Sequence, residues 1–180
     1  MGRITKEGDV VLDLYSGIGY FTLPFLLIGK AAKVIACELN PNSVMALKKA
    51  ISRNKIDSSR CEIHGGDNRK PSLKLLLANR ADRVSLGLIP SSEDGWETAL
   101  HALKPSGGML HVHFNVKDGK ENIQQWADEL PARLRAILLA SECILEDKKK
   151  WNLNVIFVSR VKSYSPRVAH IVVDVRCSHF

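Results

Sequence analysis

The sequence has no run approaching the roughly 18 apolar residues that a membrane-spanning helix needs. No membrane partner is therefore expected. The start, Met1 to Asp9, is too polar for a secretory signal peptide, and Lys6 stands where N-myristoylation prefers Ser or Thr. Cysteine is scarce. Cys37, Cys61, Cys143 and Cys177 are scattered, with no C-x-x-C pair to hold zinc or run a dithiol reaction. Small buried thiols in a reducing compartment are the expectation, which points to the cytoplasm. No repeat, low-complexity tract or linker interrupts the 180 residues, so one domain spanning 1–180 is expected. Aromatics make up only 6% of residues, and Trp96, Trp126 and Trp151 are too dispersed to argue for a base-stacking platform. Acids are in deficit: 19 against 26 Lys and Arg gives a formal charge of +7, which favours a polyanionic partner, nucleic acid first. Arg69, Lys70, the lysines 148–150, Lys162 and Arg167 are the candidates to track a phosphate backbone.

The stretch 10–22 organises the rest. Val10-Val11-Leu12 is apolar and ends in Asp13, and Gly17 and Gly19 then turn the chain into a helical segment beginning near Tyr20. A parallel α/β sheet offers backbone N–H groups and a carboxylate to a ligand in this way, at its strand ends. The glycines permit φ > 0 and close backbone approach. No third glycine follows at the offset of G-x-G-x-x-G, so the dinucleotide fingerprint is absent. Lys33 to Glu38 is a second apolar strand ending in an acid, and Asn40-Pro41 opens the next helix. A carboxylate there can accept both ribose hydroxyls of an adenosine. Cys61 to His64 is a third strand, leading into Gly66-Asp67-Asn68, where Asp67 is placed to accept an adenine amino group. Tyr15 and Tyr20 flank the glycine turn, either covering the ligand or packing the turn on the first helix.

Further along, Ala81–Gly87 and Met109–Phe114 read as strands four and five. A helix is expected from about Tyr20 to Ile28 and another from Glu93 to about Leu103. An amphipathic segment over about 121–142 should be kinked or restarted by Pro131. Residues 155–162 and 170–176 read as two last strands joined by Ser163-Tyr164-Ser165-Pro166. The fold class is α/β: a doubly wound, mostly parallel seven-stranded sheet with a C-terminal antiparallel pair. His111 and His113 share one face of strand five. With no third ligand at a supporting spacing, packing or orienting hydrogen bonds are expected of them, and no metal.

Asp-x-x-x-Gly-x-Gly resembles the first motif of the class I, Rossmann-like S-adenosylmethionine (SAM) dependent methyltransferases, which implies SAM as group donor. Six segments in order are more specific: Asp13–Thr22, Ala36–Pro41, Gly66–Lys70, Leu86–Ser92, Gly107–His113 and Val161–Pro166. Together they look like the catalytic domain of the wybutosine-synthesising tRNA aminocarboxypropyltransferases, a family related to the tRNA guanine-37 N1-methyltransferases. The resemblance implies transfer of the 3-amino-3-carboxypropyl group of SAM to 4-demethylwyosine at position 37 of tRNA-Phe, with methylthioadenosine as the other product. It implies Glu38 on the ribose, Asp67 and Asn68 at the adenine end, and the Gly17/Gly19 turn at the methionine end. Asp13, Tyr15, Tyr20 and Pro90 complete the expected cofactor-binding set.

The loop after strand four narrows the chemistry. The N1-methyltransferases usually carry Asn-Leu-Pro where this chain has Leu88-Ile89-Pro90. The missing side-chain amide favours aminocarboxypropyl transfer over methylation. Two other readings stay open: a guanine-37 N1-methyltransferase, and a catalytically silent SAM-fold module that only binds RNA or a partner. Members of the family have an upstream region that helps bind tRNA, whereas this chain begins about nine residues before strand one. An excised domain, a short form, or a protein that works with less is expected. No residue stands out as the base for the proton that the acceptor carbon loses.

Overall fold

The computed structural model describes residues 5–142 and 144–179. The expectations placed on Cys143 and on the first four residues lie outside them. β1 (Val10–Asp13), β2 (Lys33–Glu38), β3 (Cys61–Gly65), β4 (Arg83–Leu86) and β5 (Gly108–Lys117) alternate with α1 (Thr22–Leu27), α2 (Pro41–Arg53), α3 (Pro71–Leu77) and α4 (Trp96–Ala102). Two more helices, α5 (Lys120–Ala140) and α6 (Glu146–Lys149), lead to β6 (Asn152–Ser165) and β7 (Val168–Ser178). The strands form one seven-stranded sheet in the order β3-β2-β1-β4-β5-β7-β6. Its first five strands pair in parallel, and β7 runs antiparallel to both neighbours. This is the expected fold. The order reverses between β1 and β4, so a crevice opens at the carboxyl ends of these strands, where open α/β sheets bind ligands.

Period-two alternation decides which helix each strand residue meets. Leu12, Leu14, Ile35 and Cys37 face the larger core, with Trp96 and Leu100 of α4 and Leu130 and Leu134 of α5. Val11, Val34 and Ala36 face the other way, into a smaller core with Phe25 of α1 and Leu47 and Ile51 of α2. That second core draws on β1, β2 and β3, whereas β5 and β7 carry His111, His113, His170 and Asp174 among their buried residues. Cys37, Cys61 and Cys177 are buried free thiols, and burial pushes Cys37 up to about 12, far from thiolate reactivity.

Four elements depart from the expectations, α5, the last two strands and α3. α5 runs through Pro131 without a restart. Its buried stripe of Ala127, Leu130, Leu134 and Leu138 explains this. Burying each leucine contributes about 2 kcal/mol, and together they outweigh the roughly 3 kcal/mol an internal proline costs. The last two strands are longer than their apolar runs, because Ser163 and Ser165 pair with Ala169 and Val168. Only Pro166-Arg167 turns the chain, with Arg167 at φ 64°. A proline followed by a residue of positive φ is the arrangement of a type II turn. Finally, α3 has no counterpart in the pattern read above. Pro71 opens it and Leu77 alone is buried, too little apolar periodicity to signal a helix.

Candidate active site at the strand ends

The glycine turn is tied to β2 on both sides. Ser16 N–H and hydroxyl both donate to the Cys37 carbonyl, at 3.0 and 3.2 Å. Gly17 N–H donates to Glu38 Oε2 at 2.8 Å, and Asn40 N–H donates to Oε1 at 2.7 Å. Two backbone donors thus fix the carboxylate at the tip of β2 and leave its remaining lone pairs facing outward. Gly17 and Gly19 have φ of 53° and 104°, as the turn requires. At Gly19 space matters as well: a Cβ there would sit 2.8 Å from Leu47 Cδ1, so glycine lets the start of α1 lie against α2.

In front of this turn lies a cavity of about 540 Å³, lined by Tyr15, Gly17, Glu38, Asp67 and Asn68 among others. Asn68 is held by donating to the Leu14 carbonyl at 2.8 Å. Asp67 takes hydrogen bonds from Arg69 on both oxygens, which holds its carboxyl down to about 2. Arg69 also bonds Asp94 at 3.0 Å across the cavity mouth. Burial raises the Tyr15 hydroxyl above its ordinary pKa, so it stays protonated as a donor. The hydroxyl end of the ring lies against Gly95, where any Cβ would collide with it.

Asp13 does not line this cavity. It lies fully buried beneath the turn, where Thr22 Oγ1 donates to its Oδ2 at 2.8 Å and Oδ1 has no partner. The carboxylate therefore fixes the first residue of α1 behind the glycine turn. Burial raises its pKa from 3.8 to about 6, against the opposing pull of the Thr22 hydroxyl. An acid whose folded pKa lies above its unfolded value binds its proton more tightly in the folded state. Its contribution to stability is full below about pH 4 and is lost as pH rises through 6. Relative to Asp13→Asn, the wild-type protein should lose on the order of 3 kcal/mol between pH 4 and pH 7.5. Urea unfolding of both proteins across that range checks this, and a constant difference would refute it.

A second cavity of about 670 Å³ adjoins the first and shares Tyr15, Gly17 and Gly87 with it. Tyr20, Phe21 and Ile89 line it on one side, and His113, Phe157, Lys162 and Asp174 of β5, β6 and β7 on the other. His113 Nδ1 and His170 Nε2 are 3.0 Å apart. Burial pushes His113 down to about 3 and lowers His170, so the pair is uncharged at neutral pH. His111 Nδ1 lies 2.7 Å from Asp174 Oδ1. The two histidines of β5 thus make hydrogen bonds, and no cluster of three or more metal-ligating side chains exists among the described residues.

Of the expected set, Tyr15, Gly17, Glu38, Asp67 and Asn68 meet in the first cavity, and Tyr20 joins Tyr15 and Gly17 in the second. Gly19 and Asp13 act behind the wall. Pro90 lines neither cavity; its carbonyl accepts from Asn115 N–H at 2.9 Å, stitching the loop to β5. Its neighbours do the lining: Gly87 and Leu88 in the first cavity, Gly87 and Ile89 in the second. The β6–β7 wall was not anticipated, because Phe157 and Asp174 lie more than a hundred residues from the glycine turn. Arg69, a candidate to track a phosphate backbone, is engaged by Asp67 and Asp94 at the cavity mouth.

A family model described as the TRM5/TYW2 methyltransferase domain matches residues 1–132. The chain belongs to the TRM5/TYW2 methyltransferase domain family. It is 46% identical over 177 residues to the tRNA wybutosine-synthesizing protein 2/3/4 of Arabidopsis thaliana, covering 98% of this chain and 16% of that protein. With the human tRNA wybutosine-synthesizing protein 2 homolog it shares 38% over 224 residues, covering 98% of this chain and 48% of the relative. The chain thus spans half or less of the length of these curated relatives. Among solved structures, M. jannaschii TYW2 in complex with AdoMet superposes with a TM-score of 0.80 at 28% identity, covering 99% of this chain and 73% of that one. P. horikoshii TYW2 in complex with MeSAdo gives 0.78 at 27%, covering 99% and 60%. In this TRM5/TYW2 domain no helix among the described residues is long and apolar enough to cross a membrane.

Proposed function

We propose that this chain is the donor-binding and catalytic part of a tRNA aminocarboxypropyltransferase. It would move the 3-amino-3-carboxypropyl group of SAM to 4-demethylwyosine at position 37 of tRNA-Phe, leaving methylthioadenosine, in the cytoplasm. The carrying observation is the pair of adjoining cavities that share Tyr15, Gly17 and Gly87, with a loop free of side-chain amides between them. The residues fit the donor. Glu38 presents fixed carboxylate oxygens for ribose hydroxyls, Asn68 and Asp67 stand at the far end for the base, and the turn leads into the second cavity. Relatives named for wybutosine synthesis, and their solved complexes with AdoMet and MeSAdo, support the same reading.

When bound, SAM supplies a sulfonium with three attached carbons, any of which a nucleophile can displace if it is held in line. The chain's own task is orientation. Glu38 and the Gly17 N–H set the nucleoside end, while Tyr15 and Tyr20 restrict the arm. Leu88 and Ile89 offer apolar contact where an amide would hold an amine. For tRNA, Lys70, Lys162 and Arg167 are exposed, and the formal charge of +7 attracts the backbone over a distance.

The test is incubation with carboxyl-labelled SAM and tRNA carrying 4-demethylwyosine. Label entering the RNA is the expected result. RNA methylated without that label would replace this reading by guanine-37 N1-methylation, and neither product would leave a silent RNA-binding module.

A further inference from the structure

We propose that Asp174 is the group that takes the proton given up by the acceptor, and that His111 holds it in position. The inference rests on the group-transfer reading above. Among the described residues, Asp174 is the one carboxylate lining the second cavity. It sits on β7, laddered to β5 on one side and β6 on the other, directly opposite His111 and Phe157 in register. A group so placed has little freedom to move. Its Oδ1 lies 2.7 Å from His111 Nδ1, and His111 is itself only 1% exposed. The imidazole therefore fixes one oxygen, and the carboxylate stands on the border between this cavity and a third one of about 790 Å³ that His111 also lines.

The other polar side chains of that wall do not suit the task. Lys162 is a cation. His113 and His170 are bonded to each other, and burial holds His113 so far below its ordinary range that it gains no proton at neutral pH. Ser159 offers only a hydroxyl. Phe21, Phe157 and Val172 supply apolar surface for a ring. The cavity thus offers a planar acceptor apolar walls and, among the described residues, a single carboxylate at its β7 side.

The step balances. The acceptor carbon's electron pair forms a bond to the donor carbon, and the C–S pair stays on sulfur as the neutral thioether. The hydrogen on the acceptor carbon leaves as a proton to the Asp174 carboxylate. Methyl transfer to a guanine ring N–H would release a proton equally, so the assignment does not depend on which group moves.

The experiment compares wild type, Asp174→Asn, Asp174→Glu and His111→Gln in steady-state transfer to tRNA, in titrations of SAM and of tRNA, and in thermal melts. Asp174→Asn should lower kcat by about 100-fold or more, the size of a lost general base. SAM and tRNA affinities and the melting point should stay within a few-fold or a few degrees of wild type. Asp174→Glu should recover part of the rate, and His111→Gln should fall between. An unchanged kcat overturns the proposal, as does a raised KM alone, which would make Asp174 a binding contact. Parallel loss of SAM binding and of the melt in both Asp174 variants would make it structural and overturn it too. A wild type that transfers methyl instead fails the aminocarboxypropyl reading alone, because the Asp174→Asn comparison still applies. A wild type that transfers neither group overturns both.

Discussion

Glu38→Ala should weaken SAM binding by about 10- to 100-fold, read by calorimetric titration. The magnitude follows from what the carboxylate does twice over. On the proposed reading its outward oxygens accept the ribose hydroxyls, and hydrogen bonds to a charged group contribute roughly 1.5–3 kcal/mol. Facing inward, it receives Gly17 N–H at 2.8 Å and Asn40 N–H at 2.7 Å. Alanine therefore removes a ligand contact and also frees the turn that shapes the cavity. Glu38→Gln keeps one acceptor oxygen and should lie between, weaker by about 10-fold. The fold should survive, since Glu38 is half-buried at a strand tip and outside both cores. Affinity for SAM within about twofold of wild type would remove Glu38 from the donor site.

Glu38 was legible because a strand-end acid followed by Asn-Pro is a local pattern, and the parallel sheet turns local patterns into a shared edge. Asp13 shows the limit of that logic. Its spacing to Gly17 and Gly19 marks the turn correctly, yet a sequence cannot say on which side of the turn a carboxylate points. The structure buries it with Thr22, so its effect on a ligand passes through the start of α1. Pro90 illustrates a different loss. The loop is positioned by a backbone bond from Asn115, and which of four consecutive residues then faces the cavity depends on torsions no motif encodes.

The second cavity was invisible for a reason of topology. Its far wall comes from β6 and β7, which enter the sheet beyond β5 and reach the site only through long-range antiparallel pairing. His111 and His113 could be placed on one face of β5 from alternation alone. Their partners Asp174 and His170 could not, because the register of β7 is set across the ladder rather than along the chain. The same holds for Gly95, which sequence reading passes over and which leaves room for the Tyr15 hydroxyl.

Lys148→Met should destabilise the protein by about 3 kcal/mol, whereas Lys150→Ala should change stability by less than about 0.5 kcal/mol. The run Lys148-Lys149-Lys150 is a candidate to track a phosphate backbone, and for Lys148 the structure corrects this. Its side chain is fully buried, and its ammonium donates to the carbonyls of Leu100 at 3.2 Å, His101 at 2.9 Å and Leu103, closing the C-terminal end of α4. A cation there also meets the negative end of the helix and the Trp151 ring, 5.3 Å away. Burial opposes the charge and pushes its pKa down to about 8, a cost on the order of 3 kcal/mol. Three hydrogen bonds from a charged donor, at roughly 1.5–3 kcal/mol each, exceed that cost. Methionine has the length to fill the space and relieves the burial cost, but it cannot donate. The His101 carbonyl keeps Asn79 N–H, so Leu100 and Leu103 suffer most. For a chain of this size the loss corresponds to a melting point lower by about 6–12 °C. Lys150, by contrast, is 77% exposed and lies 4.0 Å from Asp147, a pair that water screens. Equal melting points for Lys148→Met and wild type would show that the α4 carbonyls do not need this donor.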